Sequence, residues 1–250
     1  MKAQTDRMTG PRGGALRRLP APVSAVIMTL VMTTVAMMTV ALTLSLGSGT
    51  AHAVEQAPRS AAQTLRETTE DVLEVIESAQ GYVDEDPERY YQAVHEVLDP
   101  VVDFRGFARG VMGEYATSER YRSLDEAGRQ QLRDQLERFT ETMRKGLVRT
   151  YSKGLLAFNG SRVELDEDGS REEGSRATLR QLIYSDEAQP YVVTYTMGQE
   201  RDGSWLIRNL IVEDVNLGQI YRSQFEASAR KYDGNLDTVI ANWTAEGLDS

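Results

Sequence analysis

The chain reads as an α+β domain, a curved antiparallel sheet of four strands packed against a layer of about six helices. Three observations predict this. Apolar residues recur every three or four positions from Leu65 to Leu155, the period of amphipathic helices. After Gly160 the period falls to two, in four short runs separated by turn-rich pieces too short for parallel crossovers. The helical period then returns around Ile220 to Phe225 and Leu236 to Trp243. No internal repeat or low-complexity linker interrupts the chain, so one domain is expected.

Residues 1–53 stand apart. Lys2, Arg7, Arg12, Arg17 and Arg18 precede an uncharged run from Val23 to Leu46, and Ala51-His52-Ala53 follows. A basic n-region, an apolar h-region and an A-x-A site describe a secretory signal peptide, with cleavage expected between Ala53 and Val54 and a mature domain of 54–250. An uncleaved anchor in a membrane-attached adaptor is the competing reading, because about 20 apolar residues span a bilayer. The many Thr and Ala of the run weaken it.

Within the mature chain, Leu65, Val72, Val75, Ile76 and Ala79 form one helical stripe. Asp86-Pro87 supplies a cap and a first-turn proline for a second helix bearing Tyr91, Val94 and Leu98. Asp103 is placed to cap a third, in which Phe104, Phe107, Val111, Met112 and Tyr115 alternate with Gly106, Gly110 and Gly113. The spacing Ser123-x-x-Glu126 predicts a capping box at the start of a long helix from about Asp125 to Ala157. Its stripe is Leu132, Leu136, Phe139, Met143, Leu147, Tyr151 and Leu155, an apolar face on the order of 35 Å long. Strands are predicted over Arg162–Asp166, Arg176–Tyr184, Tyr191–Gln199 and Trp205–Val212, with Asp202-Gly203 as a hairpin turn. Two helices close the chain.

Composition excludes several classes of chemistry. There is no cysteine, which removes disulfide scaffolds, thiol nucleophiles, iron–sulfur clusters, cysteine-ligated zinc and a lipoprotein anchor. The net charge is −10 over 250 residues, and loss of residues 1–53 would make the remainder more acidic still. Nucleic-acid binding, which rests on neutralising phosphates, is not expected. His95 lies in a helix four residues before Asp99, with no G-x-S-x-G in the chain to complete a triad. Asp166-Glu167-Asp168-Gly169 lacks the ligand spacing of a calcium loop and reads, with Glu172 and Glu173, as a solvated turn. Asp103, Glu114, Glu213 and Asp214 are the acids in apolar context; a secreted enzyme using Asp103 or Glu213 in a cone-shaped cavity is the alternative they leave open. The aromatic and methionine residues fit either a filled core or a cavity holding an apolar guest.

Val101-Val102-Asp103-Phe104 followed by Ala108 to Gly113 and Tyr115 resembles the MlaC family of periplasmic phospholipid carriers, also described as toluene-tolerance substrate-binding proteins. Gln131, Arg133, Phe139, Leu147 and Tyr151 of the long helix are similar to that family's, as are Tyr195 and Asp202-Gly203-Ser204-Trp205. Ile211 to Leu217 leading into Tyr221-Arg222-Ser223-Gln224-Phe225 continues the likeness, which runs from about Leu65 to Trp243. Asp214 stands where the family commonly has glycine, and Asn209 where aspartate is common. The resemblance implies a helical layer over a sheet related to the nuclear transport factor-like fold, enclosing an apolar cavity for acyl chains. It further implies a monomeric, non-enzymatic periplasmic shuttle with no cofactor beyond its cargo. Glycerophospholipid would pass between an outer-membrane MlaA-type complex and an inner-membrane MlaD-type ABC transporter complex, maintaining outer-membrane lipid asymmetry. Phe104, Phe107, Val111, Phe139, Met143, Leu147, Tyr195 and Met197 bring the helix and sheet stripes together and are the expected lining. No catalytic or metal-ligating residue is expected.

Overall fold

The computed structural model describes residues 59–156, 162–184 and 189–244; the expected signal peptide and cleavage site lie outside the described residues. Seven α-helices and a five-stranded sheet follow one another in the order helices, sheet, helices.

Helix α1 (Ala61–Ala79) starts at Ser60, whose hydroxyl accepts from the Gln63 amide at 3.1 Å. In α2 (Pro87–Leu98), Asp86 caps the Arg89 amide at 3.2 Å and Pro87 fills the first turn, as their order predicts. Its anchor is Tyr90, fully buried and donating to the Ser152 carbonyl at 3.0 Å. Asp103 caps α3 (Phe104–Met112) by accepting from the Gly106 amide at 2.7 Å. That helix stops short of Tyr115, because Gly113 takes φ 56°, ψ −123°, a region closed to residues with a Cβ. A 3-10 turn (Gly113–Ala116) and the short α4 (Ser118–Ser123) follow.

The long helix α5 runs from Glu126 to Leu156, close to its predicted span. The Ser123–Glu126 box does not form, however. Ser123 belongs to α4 and bonds back to the Arg120 carbonyl, while Asp125 accepts from the Gly128 amide at 2.8 Å and does the capping.

The sheet order is β1-β2-β3-β4-β5, every pair antiparallel. Strands β2 (Arg176–Tyr184), β3 (Tyr191–Gln199) and β4 (Trp205–Val212) keep their predicted limits. Strand β1 (Arg162–Glu173) is longer than predicted. The acidic stretch that reads as a turn is an irregularity between Asp166 and Arg171, after which pairing with β2 resumes. The fifth strand, β5 (Val215–Asn216), is a two-residue hairpin return from β4. Its turn puts Glu213 at φ 53°. Val192 holds it there, donating its amide to the Glu213 carboxylate at 2.6 Å and accepting from the Glu213 amide at 2.8 Å. Asn209 donates to Asn216 at 3.0 Å and accepts from the Gly218 amide at 3.1 Å, pinning the start of α6 (Leu217–Lys231). Helix α7 (Leu236–Ala241) ends the described fold.

Pairing sets the inner face of the sheet. Leu179, Tyr195 and Leu210 lie side by side across β2, β3 and β4, flanked by the rows Ala177–Met197–Ile207 and Gln181–Val193–Val212. Helix α1 covers β1 and β2, and α3 and α6 cover β4. One further tie joins the layers: Asp103 donates its amide to Ile207 at 2.9 Å, and Ile207 donates to Val101 at 2.8 Å.

Candidate functional site

Hydrophobic packing divides into three clusters instead of one continuous core. One joins α3, α5, α6 and α7, a second joins α1 to β2, β3 and β4, and a third joins α1, α2, α3 and the C-terminal half of α5. The close backbone neighbours of α5 are α2, α3, α4 and α7, and no strand is among them. Its packing is chiefly with other helices, and the cluster it shares with α3, α6 and α7 also takes in Leu210 of β4 and Val215 of β5.

The stripe of α5 changes along its length. Leu132, Leu136, Phe139 and Met143 are buried in the helical cluster, with Phe139 and Met143 fully enclosed. Leu147, Tyr151 and Leu155, the continuation of the same face, are only half-buried. Leu147 touches both helical clusters. On the sheet, Tyr195, Ile207 and Leu210 are likewise half-buried although they belong to the covered face. Apolar groups on the C-terminal half of α5 and on the covered face of the sheet thus keep some accessible surface.

The eight predicted residues divide accordingly. Phe107, Leu147 and Tyr195 keep accessible surface, with Phe107 set edge-on to Tyr221 at 6.2 Å between ring centroids. Phe104, Val111, Phe139, Met143 and Met197 are packed into the clusters: Phe104 lies under the Arg144 guanidinium, and Phe139 meets Phe225 at 4.9 Å and Trp243 at 5.2 Å. Tyr151 and Leu210, outside the expected lining, are half-buried as well and pack against the helical cluster. Tyr151 lies on the long stripe and was legible; Leu210 depends on strand register.

Polar groups in this interior are few. The Tyr151 and Tyr221 hydroxyls lie 3.5 Å apart, and burial pushes both phenols up. Burial alone does the same to Tyr195. Gln181, buried on the inner face, donates to the Thr69 hydroxyl at 2.8 Å. The acids considered for catalysis are occupied elsewhere. Asp103 caps α3 with Arg208 at 3.8 Å, and Glu213 holds the Val192 amide. His95 stands 3.8 Å from Asp99 on the surface of α2. Among the described residues no group of three His, Asp or Glu side chains is placed to hold a metal ion, and no helix is long and apolar enough to cross a membrane.

A concavity of about 390 Å³ lies between α4, α5 and α7 and is lined by Arg120, Gln131, Gln135, Asn235 and Asp237. It is a structural seam. Hydrogen bonds from Arg138 and then Gln135, the latter at 3.0 Å, hold the Asp237 carboxyl below the usual aspartate range and join α7 to α5.

Known proteins share this arrangement. The profile of the family described as "MlaC protein" matches residues 66–245. The toluene tolerance protein ttg2D of Pseudomonas putida is 27% identical over 203 residues, which is 81% of this chain and 84% of that protein. The solved structure of a phospholipid-binding protein from Ralstonia solanacearum, in complex with a phospholipid, superposes with a TM-score of 0.59. At 18% identity, covering 73% of this chain and 98% of that one, this is a likeness of fold. With the profile matching residues 66–245, most of its length, the chain belongs to the MlaC family.

Proposed function

We propose that the protein is a soluble phospholipid carrier of the periplasm, exported by a signal peptide spanning residues 1–53 and acting as the monomeric domain 54–250. Its acyl chains would lie in the space between the C-terminal half of α5 and the inner face of the sheet. Phe107, Leu147 and Tyr195 touch them, and Phe104, Val111, Phe139, Met143 and Met197 form the packed wall behind. The observation that carries this reading is the single apolar stripe of α5, closed in its first half and half-buried in its second, together with the half-buried Tyr195, Ile207 and Leu210 on the covered face of the sheet. Family membership and the phospholipid held by the R. solanacearum protein support it, and they favour binding and transport over catalysis.

Burying hydrocarbon contributes about 0.8 kcal/mol per CH₂, so two chains of about fifteen methylenes contribute on the order of 24 kcal/mol before costs. Spontaneous release is then slow, and unloading calls for a partner that opens the space or accepts the lipid. We assign those partners to an inner-membrane MlaD-type ABC transporter complex and an outer-membrane MlaA-type complex, with the protein ferrying glycerophospholipid between them to maintain outer-membrane asymmetry. Native mass spectrometry of the protein from a gentle periplasmic extract tests the reading. One glycerophospholipid per chain, with Val54 as the first residue, is the expected result. Protein that is empty and takes no lipid from vesicles would overturn it.

A further inference from the structure

Tyr195 holds the middle of the inner face of the sheet. Leu179 and Leu210 are its cross-strand neighbours, and Val193 and Met197 are the next residues of β3 on the same face. All four are apolar, and among the described residues the Tyr195 hydroxyl has no hydrogen-bond partner. A phenol inside protein ordinarily finds one. Surrounding protein desolvates this phenol, yet the side chain keeps accessible surface while Leu179 and Met197 beside it are 2% and 1% exposed. Tyr195 is therefore not sealed into a filled core. Of the other polar groups nearby, Gln181 bonds Thr69 and Tyr151 lies 3.5 Å from Tyr221, while the Trp205 indole N–H in the same cluster is buried without a partner and has no accessible surface from which to reach a guest.

We infer that the Tyr195 hydroxyl donates a hydrogen bond to an ester carbonyl of the bound lipid, and so selects ester-linked acyl chains over ether-linked chains of the same shape. This rests on the carrier reading above. A space with apolar walls takes hydrocarbon, and it does not strip a phosphate or an amine of water without a paired charge. The ester carbonyl is the acceptor on a glycerophospholipid that enters such a space uncharged. Paired with an O–H donor at hydrogen-bond distance, about 2.7 Å, it gives a partner to a phenol that has none among the described residues. A dialkyl ether has no carbonyl to offer. Its chains fit equally well and leave the hydroxyl unpaired.

The test is a competition. Mature protein stripped of lipid is incubated with vesicles containing equal amounts of diester and diether phosphatidylethanolamine of matched chain length, and the lipids it carries off are measured by mass spectrometry. The native chain is expected to take the diester in about fivefold excess, the effect of one neutral hydrogen bond. Tyr195→Phe is expected to take both equally. Equal uptake by the native chain, or the same excess in both proteins, would overturn the assignment. Urea unfolding of the lipid-free proteins is the second reading. The variant's midpoint should equal or exceed the native value, and a lower one means that the hydroxyl is bonded within the protein and overturns the assignment as well. A native chain that carries neither lipid overturns the carrier reading itself, an outcome separate from loss of the ester preference.

Discussion

Phe139 and Leu147 lie two turns apart on one stripe of one helix, and the packing around them predicts opposite consequences for the same substitution. Phe139 has no accessible surface and is clasped edge-on by Phe225 and Trp243. Phe139→Ala leaves a cavity in a closed core and should cost about 3–5 kcal/mol in urea unfolding. Leu147 is only half-buried and is proposed to touch the lipid, so Leu147→Ala should cost less than about 2 kcal/mol and should instead lower lipid retention in native mass spectrometry. Equal stability losses for the two would mean that the space is filled. The periodicity of the sequence places both residues on the apolar face and stops there. Period reports which side of a helix is covered, and a ring pressed between two others has the same period as a methyl group facing a guest.

Among the elements, α3 shows how a backbone requirement overrides a side-chain pattern. Its apolar alternation continues to Tyr115, but the helix ends at Met112 because Gly113 turns the chain at positive φ. A Cβ there would stand 3.0 Å from Nε of Arg222. Gly113→Ala should therefore destabilise the protein by about 1–3 kcal/mol, measured by urea unfolding, where substitution at the open helical position Gly110 should not. Asp125 displaces Ser123 as the cap of α5 for a related reason: Ser123 is consumed by the helix before it. Capping residues are legible in sequence, but which of two adjacent candidates acts depends on where the preceding element ends. The seam between α5 and α7 carries a pH prediction. Asp237 titrates below its ordinary value, near 3.9, so its contribution is complete above that value and is lost as pH falls through the lower native one. Its Arg138 partnership is half-exposed, and salt screening keeps the loss below about 1 kcal/mol. Asp237→Asn should remove a small stability difference seen at neutral pH and absent in strong acid, measured by urea midpoints across that range.

For the whole molecule the charge balance matters most. The outer face of α1 displays Glu70, Asp71, Glu74 and Glu77 to solvent, and the free edge strand β1 is charged along most of its length, which discourages edge-to-edge association. Docking on basic partner surfaces should accordingly be transient. Association rates with an MlaD-type complex should fall as salt rises from about 0.05 to 0.5 M, since screening lengths shorten through that range. Rates that do not respond to ionic strength would remove electrostatics from the docking step.

What the sequence by itself determined was local in origin. Caps at Asp86 and Asp103, the limits of β2, β3 and β4, the hairpin at Asp202-Gly203 and the stripe of α5 follow from residue chemistry within a few positions. The order of its motifs determined the family. Tertiary structure decided the rest, namely the tie between Asp103 and Ile207 and the packing of α5 among α2, α3 and α7. Each depends on contacts between residues far apart in the chain. Whether a covered apolar face meets another face or a gap depends on the distance between two elements, and no pattern along one of them encodes that distance.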